Sequence, residues 1–142
     1  MTKNLGEIYF ETADSFLEGD SETLEFINRL GDKVVDGCHE ISFYLIKKHS
    51  NFRAITSICT KGLGNKYYHS FALDNDRVID LTGNLVMPKN TYYLLNNVKE
   101  LNNINYEEYL EEKDDSIQFD ESNTIFPLLR NALYKQYKDS NE

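Results

Sequence analysis

Apolar residues in the first third of the chain recur at the three- and four-residue spacing of amphipathic helices. They predict one helix over residues 21–30, with Ser21 as its N-cap and Gly31 at its end. A second helix is predicted over residues 38–48, with Asp36 as its N-cap. The positions that share a face are Leu24, Ile27 and Leu30 in the first helix and Cys38, Ile41, Leu45 and His49 in the second.

The middle of the chain changes to the composition and period of β-strands. Runs rich in β-branched and aromatic residues cover residues 52–60, 66–73 and 77–82. The turn-forming segments KGLGNK and DND separate these runs, so they predict a meander of three antiparallel strands. Cys59 falls within the first run and is expected to be a core residue of that strand.

The pattern in the last third is less regular. Residues 91–104 fit a helix or an irregular segment, and residues 105–115 fit a short acidic helix or a solvated loop. A final helix is predicted over residues 126–138, with Pro127 in its first turn. Together these elements predict an α+β fold in which the second helix packs on an antiparallel sheet with the three predicted strands at its centre.

Length, charge and cysteine content narrow the class of protein. The chain has 142 residues, of which 40% are hydrophobic, and this predicts a single domain over residues 1–142. The net charge of −9 argues against nucleic acid and anionic membranes as partners, and it suits docking to a basic protein. Two cysteines far apart in sequence predict neither a disulfide framework nor a zinc site, and no pattern indicates a metal or a cofactor.

The sequence has no pattern typical of a membrane span or a signal peptide. No apolar stretch nears the ~20 residues that a spanning helix needs. The N-terminal segment carries acidic residues where a signal peptide would have its apolar core. We therefore expect a cytoplasmic protein.

A histidine and an aspartate flank the predicted DND turn, at His69 and Asp80. If the loop is Asp74-Asn75, the two lie directly opposite each other, and if it is Asn75-Asp76, they are diagonal neighbours. In both cases their side chains leave the same face of the sheet, within reach of a histidine–carboxylate hydrogen bond. A loop with an odd number of residues would place them on opposite faces.

Cys38 occupies the predicted start of the second helix, where free N–H groups and the helix dipole lower a thiol pKa. Cysteine catalysis also needs a base and a group that orients the base, and His69 and Asp80 can supply them. The alternative is that Cys38 is a buried apolar residue of the helix face. His39 points about 100° away and is expected to be an exposed histidine, and His49 in the last turn needs no function.

The segment from residue 36 to residue 87 resembles the papain-like superfamily, most closely its transglutaminase-like branch. The residues that carry the resemblance are Gly37-Cys38, His69-Ser70-Phe71 and Val78-Ile79-Asp80-Leu81-Thr82. The resemblance implies a cysteine-bearing helix on an antiparallel sheet, with Cys38, His69 and Asp80 as a catalytic triad. It also implies that the Cys38 backbone N–H helps to form an oxyanion hole, and it leaves the second donor open. Asn84 is expected to close a turn or to line the site, with the turn favoured.

Two functions remain open from the sequence. The first is a small cysteine enzyme, a thiol hydrolase or an acyl transferase, that acts on a peptide or on a glutamine amide. The second is a non-catalytic acidic binding protein, such as an immunity protein or a phage-type inhibitor, that uses a similar scaffold to capture a basic protein. The reactivity of Cys38 towards iodoacetamide separates these two functions.

Overall fold

The structure is a computed structural model that describes residues 14–30, 37–112 and 127–140. In chain order its elements are α1 (Asp14–Leu17), α2 (Ser21–Leu30), α3 (Cys38–Lys48), β1 (Arg53–Lys61), β2 (Asn65–Asp74), β3 (Arg77–Asp80), β4 (Leu85–Pro88), α4 (Lys89–Asn96), β5 (Lys99–Ile104), α5 (Tyr106–Glu112) and α6 (Pro127–Ser140). None of the helices in these described segments is long and apolar enough to cross a membrane.

The five strands form one antiparallel sheet in the order β4-β3-β2-β1-β5. The α+β class and the antiparallel sheet are therefore confirmed, and the three predicted strands are its central strands. The ladder between β1 and β2 is long and runs from Arg53–Leu73 to Lys61–Asn65. The ladder between β2 and β3 runs only from Ala72–Ile79 to Asp74–Arg77, so the first half of β2 extends beyond β3.

Each face of the sheet packs against helices, because alternate side chains of the strands leave opposite faces. On one face, Ile41, Leu45 and Ile46 of α3 pack against Ala54, Ala72 and Ile79 of the sheet, and Leu128 of α6 joins the same cluster. On the other face, Tyr92 of α4 packs with Ile55, Phe71, Val78 and Met87. Full burial of a side chain such as Leu45 stabilises the fold by roughly 1.5–3 kcal/mol, which fixes α3 on the sheet.

The N-caps of α2 and α3 differ from the predicted residues. The N-cap of α2 is Asp20, whose carboxylate accepts the Thr23 N–H at 3.1 Å and the Thr23 hydroxyl at 2.7 Å. Ser21 is the first helical residue, so its prediction as N-cap is wrong. Gly37 is the N-cap of α3 and makes no side-chain cap. The prediction of Asp36 as N-cap of α3 is therefore wrong, and the predicted end of α2 at Gly31 falls outside the described residues.

The segments that the sequence left open contain both helix and strand. Residues 91–104 are divided between α4 and β5, with Asn97 in the left-handed conformation (φ 48°) at the junction. Within residues 105–115, Tyr106–Glu112 form the helix α5, and residues 113–115 are not described. Asn105 caps this helix by accepting the Glu108 N–H at 2.8 Å. The predicted final helix is confirmed as α6 within the described residues.

Candidate active site

The hairpin between β2 and β3 closes with the two-residue loop Asn75-Asp76. Its register pairs Ala72 with Ile79, and Asn75 adopts a left-handed conformation with φ of 56°, which asparagine tolerates. This register makes His69 and Asp80 diagonal neighbours on one face, the second of the two even-loop alternatives. His69 Nε2 lies 2.9 Å from Asp80 Oδ2.

Asp80 accepts hydrogen bonds at both carboxylate oxygens. Oδ2 accepts from His69 and from the Tyr92 hydroxyl at 2.7 Å, and Oδ1 accepts from the Thr82 hydroxyl at 2.8 Å and the Gly83 N–H at 3.1 Å. A β-carbon at Gly83 would lie 3.3 Å from Oδ2, so glycine leaves room for the carboxylate. Burial alone would raise the Asp80 pKa, but these bonds, led by that from His69, hold the pKa below its usual value.

Cys38 is the first residue of α3, beside the part of β2 that extends beyond β3. The first hydrogen bond of the helix runs from the Ile41 N–H to the Gly37 carbonyl at 2.9 Å, so the Cys38 N–H has no partner within the helix. The backbone of Ser70 in β2 also contributes to lowering the pKa of the thiol. The helix start and the open edge of β2 therefore hold the sulfur from two sides.

The thiol and the His69 imidazole favour opposite charges. Burial by itself would raise the pKa of Cys38, but hydrogen bonding with His39 and His69 and the Ser70 backbone lowers it to about 6. Burial would lower the pKa of His69, but its bonds to Asp80 and Cys38 raise it to about 10. The two shifts favour a thiolate beside an imidazolium near neutral pH.

His39 is buried, and its prediction as an exposed histidine is wrong. Only 6% of the residue is exposed, and its Nδ1 lies 2.6 Å from the Ser70 hydroxyl. That hydroxyl lies 3.0 Å from Oγ1 of Thr56 in β1. The first turn of α3 packs against β2, so the helix surface next to Cys38 also faces the sheet. The position of His39 along the helix does not predict this contact. The sequence feature that could have indicated it is the hydroxyl residue Ser70 beside His69.

One cavity of about 760 Å³ contains the residues of this site. Cys38, His69 and Asp80, the three candidate residues from the sequence, all line it. The sequence did not predict the other lining residues as part of the site; they are His39, Lys61, Tyr67, Tyr68, Thr82, Gly83, Leu85, Tyr92, Asn96 and Leu129. Tyr92 was missed because its segment fitted a helix or an irregular stretch equally well.

Three further residues weighed in the sequence lie outside the cavity lining. Cys59 has no exposed surface, which confirms it as a core residue of β1. His49 is the C-cap of α3 and stacks on Phe52 with ring centroids 4.3 Å apart. Asn84 closes the turn after β3, with φ of 54° and its N–H bonded to the Leu81 carbonyl at 3.2 Å. The turn prediction for Asn84 is thus confirmed.

Comparisons with known proteins give no match: no protein-family model, curated protein or solved structure is detectably similar to this chain. Within the described residues, no three or more histidine, cysteine, aspartate and glutamate side chains are arranged to hold a metal ion. The chemistry of the site is therefore argued from its own geometry.

Proposed function

We propose that the chain is a small papain-like cysteine enzyme, of the transglutaminase-like kind, with Cys38 as nucleophile, His69 as base and Asp80 as the group that orients His69. The observation that carries the proposal is the cavity in which these three residues meet, with His69 Nε2 2.9 Å from Asp80 Oδ2. Because Nε2 is engaged by the carboxylate, the Nδ1 of His69 is the ring nitrogen left to exchange a proton with the thiol.

In the first half of the reaction the Cys38 thiolate attacks a carbonyl carbon and forms an S–C bond. The carbonyl oxygen becomes an oxyanion, which the Cys38 N–H at the start of α3 stabilises. The intermediate then collapses, the bond to the leaving group breaks, and His69 donates its proton to that group. The products are a thioester on Cys38 and a free amine or alcohol.

In the second half His69, now neutral, accepts a proton from water or from an acceptor amine that attacks the thioester. The S–C bond breaks, the acid or the new amide leaves, and the thiolate–imidazolium pair is restored. Asp80 keeps its charge throughout, because its four hydrogen-bond donors hold its pKa low. It orients the imidazole and stabilises its charged form.

The proposed substrate is a peptide bond or a glutamine side-chain amide, and this rests on the resemblance to the transglutaminase-like branch. The proposed location is the cytoplasm, because a reactive thiolate persists in a reducing compartment. The alternative proposal is a non-catalytic acidic protein that binds a basic partner through its net charge of −9. In that case Cys38 is an unused thiol on a similar scaffold.

The reactivity of Cys38 separates the two proposals. Iodoacetamide modification at about pH 6 is followed by mass spectrometry, with N-acetylcysteine as the free-thiol reference. A thiol of pKa about 6 is half ionised there, and an ordinary thiol of pKa about 8.5 is about 0.3% ionised. Cys38 is therefore expected to react on the order of 100-fold faster than the reference, before its burial and lower basicity reduce the advantage.

Turnover is measured with glutaminyl peptides and hydroxylamine as the acceptor, so that transfer gives a hydroxamate product and hydrolysis gives a glutamate product, while ammonia is released in either case when Cys38 is acylated. Cys38→Ala is expected to abolish both products. Cys59→Ala is the matched control, because it removes the other thiol of the chain from the core of β1 without changing the cavity lining. If Cys38 reacts no faster than the reference thiol and no turnover depends on it, the enzyme proposal fails and the binding protein stands.

A further inference from the structure

The Cys38 thiol shares the cavity lining with two imidazoles, those of His39 and His69, and each imidazole has a different anchor. The anchor of His69 is the Asp80 carboxylate, which is charged. The anchor of His39 is the Ser70 hydroxyl, which is neutral and lies 2.6 Å from Nδ1. The two histidines therefore face the same sulfur under different electrostatic conditions.

The anchor of His39 is itself part of a buried polar chain. Thr56 and Ser70 are direct partners across β1 and β2, and their hydroxyl oxygens lie 3.0 Å apart. Each of the two residues is 1% exposed, and they lie on the sheet face that is otherwise filled by residues such as Ala54 and Ala72. Buried hydroxyls are costly unless they are hydrogen-bonded. These hydrogen bonds run from Thr56 through Ser70 to His39, and they fix the His39 ring beside the Cys38 thiol.

We propose that His39 is a positioning residue that stabilises the Cys38 thiolate, that Ser70 holds it in place, and that proton transfer is left to His69. This inference rests on the proposed function of Cys38 as a nucleophile. The different anchors are the physical reason for the division of labour. A carboxylate favours an imidazolium and so equips His69 to carry a proton, whereas the Ser70 hydroxyl fixes the position of the His39 ring.

The titratable neighbours allow this role to be separated from general charge effects. Besides Cys38 and His39, the titratable residues that line the cavity are Lys61, His69, Asp80 and the tyrosines Tyr67, Tyr68 and Tyr92. All of these residues are retained when only His39 is substituted. A shift in the reactivity of Cys38 in that variant therefore reports the loss of His39 itself.

The test is the rate of iodoacetamide modification of Cys38 as a function of pH in the wild type, His39→Gln, His39→Ala and Ser70→Ala. His39→Ala is expected to raise the midpoint by about one pH unit, which lowers the rate at about pH 6 by up to tenfold. Ser70→Ala is expected to shift the midpoint in the same direction by less, and His39→Gln, which keeps an N–H donor, to restore part of the loss.

His49→Ala is the matched control, because it removes a histidine at the other end of the same helix and outside the cavity lining. It is expected to leave the midpoint unchanged. Circular dichroism melting checks that each variant is folded, and Ser70→Ala decides the outcome if His39→Ala does not fold. Unchanged midpoints in the folded His39 and Ser70 variants overturn the inference alone. A wild-type midpoint near the ordinary value of about 8.5 overturns the proposed function with it.

Discussion

An Asp80→Asn substitution removes the negative charge from the cavity and changes the size of the side chain very little. In the wild type both carboxylate oxygens accept two hydrogen bonds each. The asparagine amide has one accepting oxygen and one NH₂ group that donates. In either orientation of the amide, two of the four original donors face the NH₂ group and must turn to accept from it or lose their partner. One orientation disrupts the bonds from His69 and Tyr92, and the other disrupts those from Thr82 and Gly83.

Two effects of measurable size follow from this geometry. A buried hydrogen-bonding group left without its partner costs about 1–3 kcal/mol, and this is the expected loss in the free energy of unfolding, because water can reach the exposed Gly83 and the hydroxyls of Thr82 and Tyr92 can rotate. His69 also loses its charged partner Asp80, the largest cause of its raised pKa, and burial then favours the neutral ring. A neutral ring beside an amide loses its preferred tautomer, and kcat is expected to fall by about 10⁴.

The assays are urea unfolding, iodoacetamide modification of Cys38 and turnover of a glutaminyl peptide. Asp74→Asn is the matched control, because Asp74 is an aspartate at the exposed end of the same hairpin, paired with Arg77 at 3.0 Å. It is expected to stay within about 0.5 kcal/mol of the wild type and to keep the reactivity of Cys38. If Asp80→Asn unfolds and reacts like Asp74→Asn, the carboxylate does not orient His69 and the reasoning is refuted.

Three further substitutions give independent tests. Tyr92→Phe removes one donor to Asp80 and is expected to cost about 1 kcal/mol in urea unfolding and to slow Cys38 modification; wild-type values in both assays would contradict this. Cys38→Ala is expected to abolish turnover and to keep the free energy of unfolding within about 1 kcal/mol, whereas a larger loss would return the residue to the core. Asp20→Ala removes the N-cap of α2 and is expected to cost about 0.5–2 kcal/mol at neutral pH. Because its pKa is lowered from 3.8 to about 2 by Lys48 and Thr23 against the effect of burial, the Asp20 charge stabilises the fold above pH 3.8. The stabilisation by the Asp20 charge is lost as the pH falls through about 2, so the difference in unfolding free energy between wild type and Asp20→Ala should shrink there. A difference that stays constant in urea unfolding would contradict the role of the Asp20 charge.

The sequence predicted the centre of the fold because local patterns determine it. Three β-rich runs separated by short turns became β1, β2 and β3, and the helical repeat from Cys38 became α3. β4 has only four residues and ends in Pro88, and β5 carries the polar sequence KELNNI at the edge of the sheet. Neither segment has the alternation that identifies a strand, so pairing with neighbours decides its conformation.

The candidate site was predictable to the extent that it depends on whether the loop between β2 and β3 has an even or an odd number of residues. Any even loop places His69 and Asp80 on one face, but DND allows two such loops, and the sequence could not choose between them. The burial of His39 against Ser70 could not be predicted from helix geometry, because it depends on how α3 lies against β2. Ser70, which anchors His39, comes from a different part of the chain and reaches it only through the tertiary fold.

The central claim is that a Cys38 thiolate and a His69 imidazolium form one charged pair in this cavity, held by Asp80. The most direct test is a ¹⁵N NMR titration of the histidine rings, with the His69 signals assigned by their loss in His69→Gln. The account predicts that the His69 ring stays doubly protonated through neutral pH and titrates at about pH 10. It also predicts that the His69 midpoint falls in Cys38→Ala and in Asp80→Asn. A wild-type His69 that titrates at or below its ordinary value of about 6.5 would contradict the account.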